Sequence, residues 1–305
     1  MTGTTQTRAT LALLASTLLW GTWWIPLREL EAAGVNSVWT MAAPMALPLL
    51  VLAPFALARW RRILSAGWPA YAAGFLVAAA IALYAEGLLR GYVARVVLLF
   101  YLAPVWSAIV GRVFLGVPIT LSRMLTIALG LTGMVVIFGI DTGIPIPGST
   151  AEWMALLSGI TWAGALVFLN RAHSVPAFDK SLIHFLFLGA VYAAIASIPG
   201  GGEWAMPSST QTGPAAFWIL VVALVWLLPL ILLTMYASSS LDPAKVSILL
   251  TLEVVVGLTT AALLTDEPFG AREMIGAVLI VAAGLVEIRH VPAHRPGESS
   301  KTHRP

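Results

Sequence analysis

The chain has no cysteine in its 305 residues, which excludes disulfides, thiolate zinc sites and cysteine nucleophiles together. Charge is the second scarcity. Asp, Glu, Lys and Arg make up only 10% of the sequence, against about 25% in an ordinary soluble chain. Histidine numbers five: His173, His184, His290, His294 and His303. Their spacing matches no metal-ligand pattern and three fall in the polar C-terminal stretch, so neither a metal nor another cofactor is expected. The acids are scattered as well, with no cluster of acids and histidines of the kind catalysis needs, and an enzyme is not expected.

What fills the space is apolar. Hydrophobic residues reach 59% and mean hydropathy is +0.90, so most of this surface is built for lipid. A helix crosses a bilayer in about 20 apolar residues, and ten such runs can be marked. They are 8–27, 36–58, 67–89, 93–115 and 121–140, then 152–171, 182–198, 215–237, 243–264 and 272–288. Arg8 ahead of an apolar run imitates a signal peptide, but nine similar runs follow it. Helices are expected because hydrocarbon offers exposed backbone no partner, and the short alternating strands of a barrel are missing. The Gly/Pro-rich stretch 141–150 separates the two sets of five, and the tail, 291–305, is expected to be disordered. The halves are therefore drawn at 1–140 and 141–290.

A net charge of +3 would ordinarily raise nucleic acid as a partner. Here the basic residues lie between apolar runs, where they report orientation instead. With the N-terminus placed in the cytoplasm, 13 of the 17 Lys and Arg face inward; only Arg28, Arg90, Arg95 and Arg272 face out. Both termini are thus expected inside, with the bilayer as the main partner and no nucleic acid.

The chain also resembles itself. At an offset of 150, Ala94, Val96, Leu99, Leu102 and Val105 fall on Ala244, Val246, Leu249, Leu252 and Val255. Pro118 falls on Pro268, and Arg95 on Lys245. At an offset of 142, Ser16 and Trp20 fall on Ser158 and Trp162. Five is odd, so the second set must enter the membrane from the other side. Inverted repeats of this kind characterise secondary transporters, whose site lies between the repeats near the midplane. The expected fold is therefore an all-α membrane protein: ten transmembrane helices as two inverted five-helix repeats around a central cavity. Such a cavity is complete in one chain, so a monomer suffices and a dimer is compatible with it.

The stretch Leu252-Glu253-Val254-Val255-Val256, then Asp266-Glu267-Pro268, then Gly276-Ala277-Val278-Leu279-Ile280 resembles the drug/metabolite transporter superfamily in its EamA-type members. So do Tyr101-Leu102-Ala103-Pro104-Val105-Trp106 and Gly116-Val117-Pro118 of the first half. Val117 stands where that pattern has Glu, and Val254 where it has Pro. The resemblance implies an alternating-access exporter in a bacterial inner membrane, with amino acids as the leading small-molecule substrate and organic cations or drugs as the alternative. It also implies that the fifth and tenth helices brace the repeats from outside.

Particular residues stand out against this frame. Glu253 is a carboxyl near the middle of a span, and ionisable groups there mark transport sites more often than structural ties. Trp20, Trp106 and Trp162 fall near span centres, where an interfacial belt cannot account for them. Trp24 shares a helix face with Trp20, and Tyr84 and Tyr101 can add hydroxyls. This set is expected to line the substrate cavity, with a cation–π option for ammonium groups, although plain packing also explains each ring. Arg95 and Lys245 each open the fourth helix of a repeat, and Pro104 interrupts one; gating or hinge roles are expected there, with snorkelling anchors as the plainer account of the two cations. Glu86 and Arg90, four residues apart, should form a surface ion pair.

Overall fold

The computed structural model describes residues 3–33, 37–116, 120–138, 147–196, 209–241, 243–267 and 269–288. Among these every regular element is helical, as a lipid-embedded backbone requires. The first half comprises α1 (Gly3–Thr22), α2 (Trp24–Ala32), α3 (Ser37–Ala58), α4 (Trp60–Leu64), α5 (Trp68–Arg90), α6 (Val93–Phe100), α7 (Ala103–Leu115) and α8 (Leu121–Phe138). The second comprises α9 (Thr150–Arg171), α10 (Ala177–Ala196), α11 (Ser209–Leu220), a π-helical segment Val221–Leu227, α12 (Leu228–Ser240), α13 (Pro243–Leu264) and α14 (Ala271–Ile288).

Among the described residues, seven stretches are long and apolar enough to cross a membrane: Gln6–Ala32, Met41–Ala58, Trp68–Arg90, Val93–Phe114, Thr150–Leu169, Ala177–Ala194 and Gly213–Ser238. The apolar stretches Met124–Ile137 of α8 and Leu252–Leu264 of α13 are shorter. The outer surface agrees with a lipid setting, since Leu121 is 82% exposed and Leu263 76%. No soluble monomer gains from presenting such residues in bulk. Trp60, Trp68 and Trp153 are exposed at or near helix ends, in keeping with an interfacial belt. The expected loop residues 141–146 and the tail lie outside the described residues.

Two expected spans are broken and a third changes helix type part-way, with a proline at each place. Pro26 has no N–H to give the Thr22 carbonyl, and α1 ends at Thr22 with α2 beginning after Trp23. Pro104 likewise releases the Phe100 carbonyl, and the expected 93–115 helix divides into α6 and α7 around Tyr101 and Leu102. Pro229 sits at the start of α12, directly after the π-helical segment. In α3, by contrast, Pro44, Pro48 and Pro54 stay inside one unbroken helix. Other limits moved by a few residues: the expected 8–27 helix runs from Gly3 through α2 to Ala32, and the expected 182–198 helix begins at Ala177.

Packing between the halves comes in exchanged pairs. α5 lies on α9 as α1 lies on α12, α6 and α7 lie on α9 as α13 lies on α1, and α10 bridges α3 and α5. α8 and α14 pack on each other. Chain directions follow from specific contacts. Thr17 reaches the Leu249 carbonyl and Trp24 reaches Thr260, so α1–α2 runs parallel to α13. Ala94 N–H meets Glu267 while Tyr101 meets Glu253, so α6 runs antiparallel to α13. Arg95 meets Glu152 and Phe100 meets Trp162, so α6 is parallel to α9. The first helices of the two halves, α1 and α9, therefore run in opposite directions. This is the inversion that an odd helix number per repeat demands.

Glycine sets the closest approaches. A Cβ on Gly133 would stand 2.9 Å from Ile280 Cγ1 and 3.1 Å from the Gly276 carbonyl, and one on Gly276 would overlap Ile137. The α8–α14 pair thus packs by backbone proximity, the usual device where lipid and side chain are equally apolar.

Candidate functional site

The side chains at the centre of the bundle come from broken elements. Trp20 and Trp23 flank the α1–α2 break, Phe100 and Tyr101 the α6–α7 break, and α13 supplies Glu253 from its middle. Their rings touch in sequence. Trp20 stands edge-on to Trp23 at 5.7 Å, Trp23 lies 6.3 Å from Tyr84, Tyr84 4.7 Å from Phe100, and Phe100 6.2 Å from Trp162. Trp20 and Trp162, equivalent in the repeat, stand at the two ends of this chain of rings. They are joined through packed aromatics.

Glu253 is 4% exposed. Its Oε2 lies 2.6 Å from the Tyr101 hydroxyl, which also lies 2.9 Å from the Leu250 carbonyl. Tyr101 has one hydrogen for these two oxygens. With that hydrogen on Leu250, the contact to Glu253 needs a second donor, which a protonated carboxyl supplies. The other oxygen, Oε1, is buried and has no hydrogen-bond partner. A bare buried carboxylate is costly, so this group is complete with a proton or with an N–H donor brought from outside.

The remaining predicted residues are placed as follows. Trp24 is buried, donates to Thr260 Oγ1 at 3.1 Å and carries the Arg28 guanidinium on its ring at 5.6 Å. Trp106 is half-buried, and its indole nitrogen has no partner. Pro104 opens α7. The Phe100 carbonyl that it releases faces Gly159, where a Cβ would come within 2.8 Å of the oxygen. Lys245 belongs to α13, but its side chain lies outside the described residues. Arg95 pairs with Glu152 at 3.2 Å and approaches Glu273 at 3.9 Å. Glu86 and Arg90 pair at 2.7 Å, as their spacing predicts.

Sequence reasoning missed Trp23 and Phe100, which complete the ring chain, and the threonines that hold the tryptophans. Trp20 donates to Thr234 Oγ1 at 3.2 Å, and Trp226 to Thr22 Oγ1 at 3.2 Å. The triplet Trp20, Trp23, Trp24 was the available signal, because its spacing is one helical turn. Also missed was a cavity of about 1190 Å³ at one end of the bundle. Arg28, Arg90, Arg95 and Arg272 line it together with Glu31, Glu152 and Glu267. At the opposite end, Ala9 and Leu13 pack on Ala237, Leu241 and Val246 as an apolar plug. Of the predicted site residues, Arg95 lines the cavity; Glu253 and the rings lie in the packed centre between cavity and plug.

Paired repeats of opposite direction, helices broken at the centre and a buried carboxyl between the halves define a membrane carrier of the inverted-repeat class. The EamA-like transporter family model matches the chain twice, over residues 7–139 and 149–286. The chain belongs to the EamA-like transporter family, within the drug/metabolite transporter superfamily. A solved structure described only as "Crystal structure of protein" superposes with a TM-score of 0.59 at 20% identity, covering 95% of this chain and 98% of that one. At that identity the likeness speaks for the fold. No curated protein matches the chain.

Proposed function

We propose that the protein exports small amphipathic metabolites, amino acids first among them, across the bacterial inner membrane by alternating access. In this reading all ten helical rods cross the bilayer, both termini are cytoplasmic, and the halves are 1–140 and 141–290. The observation that carries it is Glu253: a buried carboxyl between the repeats, held by Tyr101 on one oxygen and open on the other. Aromatic walls suit the apolar part of a solute while the carboxyl takes its ammonium. With the orientation set by charge, the cavity faces outside and the plug of Ala9, Leu13, Ala237, Leu241 and Val246 closes the cytoplasmic end. The arrangement is then outward-facing, and transport requires the plug to part.

Reconstituted proteoliposomes test this directly. Loaded amino acids should leave and compete with one another, with and without a pH gradient, while sugars do not compete. Competition by aromatic cations without competition by amino acids would favour the alternative, a carrier for organic cations or drugs, to which Glu253 and the tryptophans also lend themselves. Trp20→Phe keeps a ring but loses the bond to Thr234. One neutral hydrogen bond is worth about 0.5–1.5 kcal/mol of stability; with the ring at position 20 no longer held in place, apparent affinity should fall, by at most roughly tenfold. Unchanged affinity would remove Trp20 from the site.

A further inference from the structure

The cavity at the Arg28 end has walls of mixed charge, and its guanidiniums are not equally occupied. Arg90 holds Glu86 in a short two-pronged contact, the carboxylate accepting from its Nε at 2.9 Å and its Nη2 at 2.7 Å. Arg28 gives its donors to the Leu88 and Gly91 carbonyls and pairs with Glu267 at 2.9 Å. Arg95 differs. Its Nη1 reaches Glu152 only at 3.2 Å, its Nη2 stands 3.9 Å from Glu273, and its Nε has no acceptor. Strong charge-assisted bonds are about 2.7–2.9 Å long, so neither contact is tight.

The two acids have prior duties. Glu152 Oε2 accepts from the Gly148 N–H at 2.7 Å while its own N–H donates to Ser149 Oγ, both at the start of α9. Glu273 Oε2 accepts from the Gly270 N–H at 2.9 Å at the start of α14. Each is held to its own helix and offers Arg95 one oxygen. The guanidinium is therefore left with donors to spare on a cavity large enough for a small solute. Glu31, exposed on the same wall, has no ion-pair partner among the described residues.

Resting on the transport reading, we propose that this vestibule is a zwitterion site in which Arg95 takes the carboxylate of an α-amino acid and Glu31 draws its ammonium. The site sets the substrate class. An amine without a carboxylate meets four guanidiniums against three carboxylates and has nothing to offer Arg95. It also touches the joint between the repeats, because Arg95 belongs to the first half and both its acids to the second.

Full-length protein in lipid nanodiscs, titrated calorimetrically with L-phenylalanine, phenethylamine and 3-phenylpropionate, decides the matter. Phenylalanine should bind about tenfold more tightly than phenethylamine, the difference a charge-assisted carboxylate contact makes. Arg95→Lys keeps the charge and loses the fork; it should erase that difference while leaving phenethylamine unchanged. Glu31→Gln should weaken both amines and spare phenylpropionate. Phenethylamine binding as tightly as phenylalanine to the unmodified protein overturns the proposal, even if neither variant folds. So does an Arg95→Lys variant that weakens both amines alike, which is the mark of a structural role. Efflux of phenylalanine from loaded proteoliposomes separates the two claims. Efflux without carboxylate preference in binding removes the vestibule site and leaves transport standing, whereas neither binding nor efflux removes both.

Discussion

Glu253→Ala is expected to abolish export while leaving the protein at least as stable as before. The two effects have one cause. The carboxyl is 4% exposed, touches Tyr101 with one oxygen and has no partner for the other. A buried polar group left half-satisfied costs stability, and removing it offsets the cavity that the shorter alanine leaves. The lost function is the charge partner of a substrate ammonium. Removing one member of a buried charge pair costs about 2–5 kcal/mol, which is roughly 30- to 4000-fold in affinity. Glu253→Gln separates charge from shape: it can still bond to Tyr101 but can neither ionise nor release a proton. Efflux from proteoliposomes should fall as far in the Gln variant as in the Ala variant, and thermal unfolding in detergent should shift upward or not at all. Transport retained by Glu253→Gln would mean that the carboxyl only ties α13 to α6–α7.

Much of the architecture could be read from the sequence because membrane helices announce themselves by length and hydropathy. The repeat was legible for a different reason. Trp20 and Trp162 are rare residues at matching places, and they stand at the two ends of one ring chain. Pro104 predicted an interruption, and its released Phe100 carbonyl is where α6–α7 meets α9. The break at Trp23 was equally available from Pro26 but was hidden inside an apolar run. Local pairs are legible too: Glu86 and Arg90, four residues apart, are found bonded. Long-range pairs are not. Glu152, Glu267 and Glu273 read as scattered acids, yet they converge with Arg28 and Arg95 on the joint between the repeats. Charge counting put Arg28, Arg90, Arg95 and Arg272 on one side without saying that they share a cavity. Which side chains share a cavity depends on helix rotation, and helices apolar all round carry little rotational signal. For the same reason, the bond from Tyr101 to Glu253 could not be drawn from either span alone.

Two glycines of α9 should answer in opposite senses when alanine replaces them. At Gly159 the added Cβ would come within 2.8 Å of the Phe100 carbonyl oxygen, with the Phe100 carbonyl carbon and Cα at 3.5 Å. All three are backbone atoms, and the carbonyl is the one Pro104 has freed from its own helix. Backbone cannot rotate out of the way as a side chain can, so α9 must move off α6–α7. Overpacking of this kind costs about 1–3 kcal/mol. At Gly164 the added Cβ would meet only Leu76 Cδ1 at 3.8 Å, an ordinary contact with a flexible end. There alanine removes unfolded-state freedom and gains helix propensity, worth about 0.5–1 kcal/mol in water. Gly159→Ala should therefore lower the unfolding temperature in detergent and Gly164→Ala should hold or raise it. Transport adds a second discriminator. The α6–α9 contact joins the two repeats beside the ring chain, so Gly159→Ala should also slow efflux, whereas Gly164→Ala should leave it unchanged. The other interface between the repeats has a close approach of its own at Gly21 on α1, where a Cβ would meet Val256 Cβ at 2.6 Å and the Glu253 carbonyl oxygen at 3.0 Å. If the two repeats rock about both contacts, Gly21→Ala should slow efflux as well. A Gly21→Ala variant that loses stability but transports at the normal rate would confine the moving joint to the α6–α9 side.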